Sequence, residues 1–396
     1  MAVVIKQPVA HAMMPVPDHD EHAREDFIVT LKMHMTDHVY PYDEAVYEKV
    51  AKPKFVQVNG REPSNGDEVH QLMMSEPYTQ FWSAIARSMQ EMLWDNEGRI
   101  AEHNLPRIQS WVKEHAKKPL GTLNLDPDFI VPRYIDAVDI HCMPGGYQTT
   151  LSDDDVFVGA VYDRGAYYYT KGTAGRTGEG GTLATIGLIR DMFPDFAPKR
   201  ILDVGCAIGW TTTPWIDAFP DAEVHGIDVG GALLRYGHGR AEALGKKVHF
   251  HQMSGEDIKF PDDHFDLVFS GGVFHETSNT AARKMIKEMH RVLRPGGLTL
   301  HYDIPYGGAY SPHARFMLDW DCYYNAEPFW RQWTDIDRTE FLTTAGFDPD
   351  TIIDAWADRD HDGNFKLFPE PFDDVHPNPR GGTGRPQFFG ALKPAH

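Results

Sequence analysis

The stretch RILDVGCAIG, residues 200–209, decides the fold of this chain. An apolar run from Ile201 to Val204 stops at Gly205, and a second glycine follows at Gly209. Residues 211–219 (TTTPWIDAF) predict a helix in which an early proline costs little, because the first helical N–H groups have no partner inside the helix. A buried strand, a glycine turn and a helix N-terminus together predict a cradle for a nucleotide-like cofactor.

Strands and helices alternate outward from this stretch. A helix over residues 183–193 leads into the first strand, and helices over 232–244 and 279–293 separate later strands. The further strands are predicted at residues 223–227, 248–251, 265–269, 298–302, 351–356 and 387–392. This alternation is typical of an α/β protein with a doubly wound, mostly parallel sheet.

Four segments in this order resemble the class I S-adenosylmethionine-dependent methyltransferases. They are ILDVGCAIG (201–209), HGIDVG (225–230), GEDIKFPDDHFDLVFS (255–270) and MHRVLRPGGLTL (289–300). The resemblance covers residues 180–305 and extends loosely to the C-terminus, whereas residues 1–180 carry no recognised motif. It implies a Rossmann-like sheet of seven strands and S-adenosyl-L-methionine as the cofactor.

The resemblance also implies the cofactor-binding residues. Asp203 is expected near the amino group of the methionine portion, Asp228 on the ribose hydroxyls, and residues 253–256 beside adenine. Two positions depart from the family pattern: Ala207 stands where the family has its middle glycine, and Ser254 where many relatives have aspartate. The full predicted set is Asp203, Gly205, Cys206, Gly209, Asp228, Met253, Ser254, Gly255, Glu256 and Ser270.

Two histidines follow predicted strands at the edge of the sheet where ligands bind. His275 and Glu276 come just after the fourth strand, and His301 and Asp303 end the fifth. A weakly acidic methyl acceptor needs a base with a pKa near neutrality, which suits histidine. We therefore expect His275 as the base, with His301 second and Glu276 beside them; the alternative is that these histidines are structural.

The composition and motifs indicate a small-molecule acceptor. The formal net charge of −20 opposes binding to nucleic acids and anionic membranes. The Asn/Asp-Pro-Pro-Tyr type motif of enzymes that methylate nucleic-acid amino groups is absent, because residues 270–273 read SGGV. We expect methylation at a hydroxyl, with N-, S- or C-methylation or a non-catalytic cofactor-binding regulatory subunit as alternatives. A nicotinamide dehydrogenase would need a GxGxxG turn, which residues 207–210 do not supply.

The chain divides into three predicted parts. Residues 1–24 are expected to be a flexible tail, residues 25–180 a mainly helical lobe that contributes to the acceptor site, and residues 181–396 the cofactor-binding domain. Residues 161–181, rich in tyrosine and glycine, predict either a loop that closes over a ligand or an interdomain linker. The predicted substrate-binding residues are Tyr162, Tyr167, Tyr169 and Tyr306.

The remaining features bear on metals, partners and location. Three widely spaced cysteines argue against disulfides and a zinc site, and no metal site is predicted. Residues 358–363 imitate the start of a calcium loop but are expected to form a polar turn. The aromatic stretch 316–333 has three interpretations: a wall of the acceptor pocket, a contact in a homodimer, or packing under the sheet. Without a signal-like or membrane-spanning segment, a cytoplasmic location is expected.

Overall fold

The apolar run after Arg200 forms a central strand of one large sheet in the computed structural model. The structure describes residues 8–172, 175–176, 178–306, 310–359, 365–368 and 386–395. The strands in these ranges are β1 (Thr122–Asn124), β2 (Arg200–Val204), β3 (Glu223–Asp228), β4 (His249–Gln252), β5 (Phe265–Gly271), β6 (Leu293–Asp303), β7 (Ile353–Arg359), β8 (Phe365–Phe368) and β9 (Gln387–Leu392). They pair in the order β1-β4-β3-β2-β5-β6-β9-β7-β8.

Helices surround the sheet and form the N-terminal lobe. In chain order they are α1 (His19–His34), α2 (Tyr40–Val46), α3 (Lys52–Asn59), α4 (Gly66–Met73), α5 (Pro77–His115), α6 (Arg133–Asp136), α7 (Phe157–Tyr169), α8 (Gly180–Met192), α9 (Thr213–Ala218), α10 (Gly231–Ala243), α11 (Asn279–Val292), α12 (Pro312–Tyr324), α13 (Trp330–Thr334) and α14 (Arg338–Thr343). A single 3₁₀ turn, Phe274–Glu276, follows β5.

Strand β2 is buried on both faces because helices cover the sheet on both sides. Ile201, Leu202 and Val204 are each at most 1% exposed. Ile201 belongs to a hydrophobic cluster with Ile189 of α8, whereas Leu202 and Val204 belong to another with Ile286 of α11. Successive side chains of a strand point to opposite faces, so a fully covered parallel strand needs a continuous apolar run.

The predicted doubly wound, mostly parallel sheet with a helical N-terminal lobe is confirmed. All pairs formed within strands β2 to β6 are parallel. Strand β9 lies between β6 and β7 and is antiparallel to both. The seven predicted strands are all present, and the described part of the sheet has two more at its edges. Strands β1 and β8 span only three and four residues, which is too short for a recognisable pattern.

The beginning of the chain is packed rather than loose. The Asp18 side chain accepts a hydrogen bond from the N–H of Glu21, and the Glu21 carboxylate accepts one from the N–H of Asp18, which caps α1. Met13 is fully buried, and His11 Nε2 lies 3.0 Å from Asp163 Oδ2. The predicted flexible tail is therefore wrong for residues 11–24. The Asp18–Glu21 cap is a local signal, whereas Asp163, the partner of His11, lies far away in sequence.

The tyrosine-rich segment begins inside a buried helix, so the prediction of a loop or linker is wrong for residues 161–169. Helix α7 packs against α10, where a Cβ on Gly159 would lie 2.2 Å from Cβ of Tyr236. The glycine therefore permits close helix packing. Val161 and Tyr236 belong to one hydrophobic cluster, so side chains of the lobe and of the sheet region share a core. The domain boundary near residue 180 stays a prediction.

The calcium-loop imitation at residues 358–363 lies only partly within the described residues. Asp358 and Arg359 end β7, and the rest of the calcium-loop imitation, Asp360–Gly363, lies outside the described residues. None of the helices described here combines the length and apolarity needed to cross a membrane.

A cluster of four histidines lies on the β3–β4 side of the sheet, formed by His225, His249, His251 and His264. His225 Nδ1 is 3.1 Å from His251 Nε2, and the charged groups that act on the cluster include Glu223, Arg200, Lys247 and Asp266. Burial and the neighbouring imidazoles lower the pKa of His225 to about 3 and that of His251 to about 4, from an ordinary value of 6.5. Between pH 4 and 6.5 the unfolded chain therefore binds more protons, so stability is lost as the pH falls through this window.

We predict that His251→Gln makes the free energy of unfolding less dependent on pH between pH 4.5 and 6.5. Removing one titrating group decreases the slope by at most one proton, or about 1.4 kcal/mol per pH unit. Urea unfolding at several pH values measures the slope. His19→Gln, which changes an exposed histidine outside the cluster, should leave it unchanged. A slope for His251→Gln equal to that of the unsubstituted protein would contradict the prediction.

Candidate active site

The turn after β2 is held close to two neighbouring segments. Gly205 has φ +75°, and a Cβ there would lie 2.5 Å from Cγ2 of Val273, so only glycine fits. The N–H groups of Gly205 and Cys206 donate to the carbonyl oxygen of Ile227 at 2.8 and 3.1 Å. The Cys206 thiol packs with Phe250 in a hydrophobic cluster, so any contact with a cofactor would come from its backbone.

Ala207 takes a backbone conformation that favours glycine. Its φ is +45°, in the left-handed region that costs a residue with a Cβ about 1–2 kcal/mol. Its N–H donates to Asp228 Oδ2 at 2.9 Å, which holds the residue in place. The alanine therefore keeps a glycine-like backbone, and the turn continues to Gly209 at φ +80°.

Asp203 presents an unsatisfied carboxylate oxygen at the end of β2. Its Oδ2 accepts hydrogen bonds from the hydroxyls of Thr211 and Thr212 at 2.7 and 2.6 Å. Its buried Oδ1 accepts no hydrogen bond from any residue that the structure describes. Burial raises the pKa of Asp203 to about 7, against the hydrogen bonds from the two threonines. A donor group of a ligand in this turn would satisfy the remaining oxygen.

Asp228 connects the turn to the start of α10. Its Oδ2 accepts the N–H of Ala207, and its Oδ1 accepts the N–H of Gly230, both at 2.9 Å. Burial raises the pKa of Asp228, and the backbone hydrogen bonds oppose this shift. Each carboxylate oxygen has a second lone pair, which leaves acceptor capacity for ribose hydroxyls.

The segment after β4 is fixed next to Asp228. The N–H of Met253 donates to the Asp228 carbonyl oxygen at 3.1 Å, and Ser254 Oγ accepts the N–H of Glu256 at 3.1 Å. Glu256 accepts hydrogen bonds from Tyr134 of the lobe and from Lys284, each at 3.1 Å. The Glu256 carboxylate thus joins the lobe to the sheet region, and Gly255 lies in the same turn.

The turn and its neighbours fit S-adenosylmethionine. Gly205 allows close approach, Asp203 has an orphaned buried oxygen, and Asp228 has acceptor capacity for hydroxyls. The part each of the ten residues plays in binding stays a prediction.

A histidine–aspartate pair lies at the carboxyl edge of β5 and β6. His275 Nδ1 is 2.6 Å from Asp303 Oδ1, and Asp303 also accepts the N–H groups of Phe274 and Ile304 at 2.9 and 2.7 Å. Burial disfavours the imidazolium, but the charge of Asp303 and its hydrogen bond outweigh this effect and raise the pKa of His275 to about 9. The pair fixes the ring orientation, and the other ring nitrogen, Nε2, lies 3.6 Å from Glu276 Oε1.

Glu276 belongs to a second charged group that the sequence did not indicate. Its Oε1 lies 3.1 Å from His141 Nε2, and His141 Nδ1 lies 2.7 Å from Glu327 Oε1. Burial disfavours the charged His141, yet the two carboxylates outweigh it and raise its pKa well above the ordinary value. Tyr147 donates to Glu276 Oε1 at 3.3 Å, and Asn325 donates to Glu327 Oε1 at 2.7 Å.

Two of the predicted tyrosines border this charged group. The Tyr162 ring is 5.6 Å from the Tyr147 ring, and the Tyr169 ring is 4.8 Å from the His141 ring. Tyr167 instead packs against its neighbour Tyr168. Tyr306 follows β6, where its N–H donates to the Gln387 side chain at 2.9 Å, and the next three residues lie outside the description. Substrate contact by any of them stays a prediction.

The aromatic stretch 316–333 packs in two places, and its role as a wall of the acceptor pocket stays a prediction. Trp333 belongs to a hydrophobic cluster with Leu202 of β2, so packing under the sheet is confirmed for this residue. Phe316 and Trp320 belong to a hydrophobic cluster with Trp82 of the lobe, so this part is packing, although against the lobe. Trp330 lies with its ring 5.1 Å from the His275 ring, next to the charged groups. A homodimer contact stays a prediction.

His301 lies inside the sheet, so the prediction of a second base is wrong. It is fully buried, with Nδ1 2.8 Å from Ser270 Oγ and Nε2 2.8 Å from Thr299 Oγ1. Burial lowers the pKa of His301 to about 3. Hydroxyl groups therefore contact both ring nitrogens of His301. Because the Ser270 hydroxyl is used in one of these contacts, only the backbone of Ser270 is left to contact a cofactor.

The sequence reasoning missed the members of the charged groups that come from other segments. The sequence placed Asp303 at the end of a strand beside the one that precedes His275. That position could have indicated the pair, but the pairing was not predicted. His141 and Glu327 had no such signal, because each lies in an irregular segment. The residues missed are His141, Tyr147, Asp303, Asn325 and Glu327.

Residues 201–297 match the family model described as a methyltransferase domain. This part of the chain is a methyltransferase domain. The resemblance to class I S-adenosylmethionine-dependent methyltransferases is confirmed over these residues, and the match supports S-adenosylmethionine as the cofactor of the domain. The matched segment contains the turn after β2, Asp228 and the His275–Glu276 pair.

This chain, which contains the methyltransferase domain, is similar in sequence over about a third of its length to parts of curated methyltransferases. It is 34% identical to the demethylmenaquinone methyltransferase of Thermus thermophilus over 31% of this chain and 55% of the relative. It is 33% identical to the fatty-acid O-methyltransferase of Mycolicibacterium smegmatis over 28% of this chain and 41% of the relative. The chain thus spans about half the length of the curated relatives it matches.

A solved structure gives a weaker likeness. It is phosphoethanolamine N-methyltransferase 2 of Haemonchus contortus in complex with S-adenosyl-L-methionine, which has a TM-score of 0.40 and 16% identity over 59% of this chain and 57% of that one.

We predict that Ala207→Gly raises the free energy of unfolding by up to about 1 kcal/mol. Glycine removes the left-handed strain of about 1–2 kcal/mol, and its greater freedom in the unfolded chain offsets roughly 0.5–1 kcal/mol of that gain. Urea unfolding measures the change. Ala207→Val is the matched control and should destabilise the protein, because a β-branched residue tolerates this conformation less well. A glycine variant less stable than the alanine protein would refute the assigned conformation.

Proposed function

We propose that this protein transfers a methyl group from S-adenosylmethionine to a hydroxyl group of a small molecule. The observation that carries the proposal is the buried His275–Asp303 pair, which lies two residues beyond Val273, the neighbour of Gly205 in the cofactor turn. The methyltransferase domain match supports the cofactor and the reaction type.

The residues of the site supply orientation and a base. When bound, S-adenosylmethionine supplies a methyl group on a sulfonium centre. In its neutral form, His275 donates its Nδ1–H to Asp303, so Nε2 can take the proton of the acceptor hydroxyl as the hydroxyl oxygen bonds to the methyl carbon. Because the pKa of His275 is raised to about 9, this neutral form increases as the pH rises towards 9. Asp303 acts as a positioning residue, because the N–H groups of Phe274 and Ile304 hold its carboxylate.

The surroundings of His275 favour a small acceptor with apolar surface. The rings of Tyr147, Tyr162, Tyr169 and Trp330 lie near the charged side chains, and these half-buried rings limit the access of water to the site of methyl transfer. The net charge of −20 opposes a nucleic-acid acceptor. One relative is named a fatty-acid O-methyltransferase, which agrees with an oxygen atom as the acceptor.

We predict that Asp228→Ala weakens S-adenosylmethionine binding at least tenfold. The change removes an acceptor for the ribose and the two hydrogen bonds that hold the turn. Calorimetry measures the affinity, with NAD as the comparison ligand and Asp221→Ala, at an exposed aspartate, as the control variant. Absence of S-adenosylmethionine binding to the unsubstituted protein would overturn the cofactor assignment.

We predict that His275→Asn decreases turnover at least 100-fold while it changes S-adenosylmethionine affinity less than threefold. General-base catalysis contributes about 10²- to 10⁴-fold. Release of S-adenosylhomocysteine is measured over a panel of phenols, catechols, alkyl alcohols, carboxylic acids, amines and thiols. Asp303→Asn should follow His275→Asn, and His290→Asn, which changes a histidine packed against Phe347, should not.

Other outcomes select the alternatives. Full activity of His275→Asn would remove the base assignment. Turnover of amines or thiols alone would replace O-methylation by N- or S-methylation. Cofactor binding without turnover of any acceptor would favour a non-catalytic regulatory subunit.

A further inference from the structure

The group formed by His141, Glu276 and Glu327 has more carboxylate oxygens than its neighbours satisfy. Glu276 and Glu327 each use Oε1 to contact His141. The buried Oε2 atoms of both residues accept no hydrogen bond from any residue within the described ranges. Glu327 is only 1% exposed, so water has little access to its second oxygen. A buried carboxylate oxygen without a partner is costly and indicates a missing ligand.

The charges of the site point in the same direction. Together with the adjacent pair, three carboxylates (Glu276, Glu327 and Asp303) face two imidazoles (His141 and His275). With the buried guanidinium of Arg338 interacting with Asp303, positive and negative charges balance only when both imidazoles are protonated. When His275 is neutral, as a base must be, one negative charge is uncompensated, and a divalent cation that replaces the proton on His141 removes this imbalance.

The donor atoms lie close enough to share one ion. One nitrogen of His141 and one oxygen from each of Glu276 and Glu327 all lie within 4.8 Å of one another. Ligands that surround an ion at about 2.0–2.2 Å are separated by up to about 4.4 Å, so a small side-chain adjustment suffices. An imidazole nitrogen with two carboxylates suits a transition-series cation of the Zn²⁺ type rather than Ca²⁺ or Mg²⁺, which prefer oxygen ligands.

We propose that His141, Glu276 and Glu327 bind a divalent cation of the Zn²⁺ type, which holds the acceptor oxygen beside His275. The binding itself stands on the three side chains, and the part concerning the acceptor rests on the proposed function. The cation takes the place of a proton on His141. Three protein ligands leave a coordination position open, where a hydroxyl oxygen becomes easier to deprotonate. The neutral form of His275, whose Nε2 is 3.6 Å from Glu276 Oε1, takes the proton of that hydroxyl.

The proposal is tested by the Zn²⁺ content of the full-length protein. After dialysis against Zn²⁺ and removal of the excess, elemental analysis should find one ion per chain. Glu327→Gln and His141→Asn should lower the affinity at least tenfold and keep S-adenosylmethionine binding. The histidine cluster on β3 and β4 is the competing site, so His251→Gln is the matched control and should retain the ion. Loss of Zn²⁺ from His251→Gln with retention in Glu327→Gln would overturn the proposal.

A second measurement uses the unsubstituted protein and does not depend on how the variants fold. X-ray absorption at the zinc edge should show one imidazole with oxygen ligands. Two or more imidazoles, or no ion retained, would overturn the proposed site. Bound Zn²⁺ without turnover of any hydroxyl acceptor would contradict the proposed function and leave the metal site in place. Hydroxyl methylation that persists in chelator-treated, metal-free protein would overturn the role of the ion in holding the acceptor.

Discussion

The parallel pairing of four central strands is the constraint on which the site depends. β2 pairs with β3 and β5, and β5 pairs with β6, all in the same direction. Their carboxyl ends therefore meet at one edge, where Asp203 is the last residue but one of β2, and Asp228 and Asp303 end β3 and β6. Within the sheet, hydrogen bonds satisfy the backbone, so the side chains just beyond it are the groups free to bind ligands. The cofactor turn and the His275–Asp303 pair are both consequences of this alignment.

The N-terminal lobe adds the charges that the sheet edge lacks. His141 comes from the lobe and lies between Glu276, which follows β5, and Glu327, which follows α12. The lobe is also tied to the cofactor turn. The Trp210 side chain in that turn donates to Asp163 of α7 at 2.7 Å, and the Tyr236 hydroxyl donates to the same carboxylate at 2.8 Å. One buried aspartate thus connects the lobe, the turn and α10.

Sequence patterns predicted the parts whose signals are local. The apolar run Ile201–Val204 predicted a buried strand, and the glycine that follows it predicted a tight turn. Asp228 was recognised because its distance from the turn matched a family pattern. Helix α7 shows where the reasoning failed: its glycines and tyrosines are typical of loops, yet Gly159 serves close packing against Tyr236. The type of a residue determines which backbone conformations it can adopt. The helix or strand that packs against it determines which of these conformations it adopts in the structure.

The sequence by itself determined the positions of the central strands along the chain, the position of the glycine turn after β2 and the residue types at the sheet edge. Periodicity and glycine positions carry this information, because burial and backbone freedom depend on each residue and its near neighbours. Only the tertiary structure decided that His275 pairs with Asp303, that His301 is buried between two hydroxyls, and that His141 meets Glu276 and Glu327. Such contacts join segments far apart in the chain, and the packing of helices and strands brings them together. No local pattern records which charges will share a buried site.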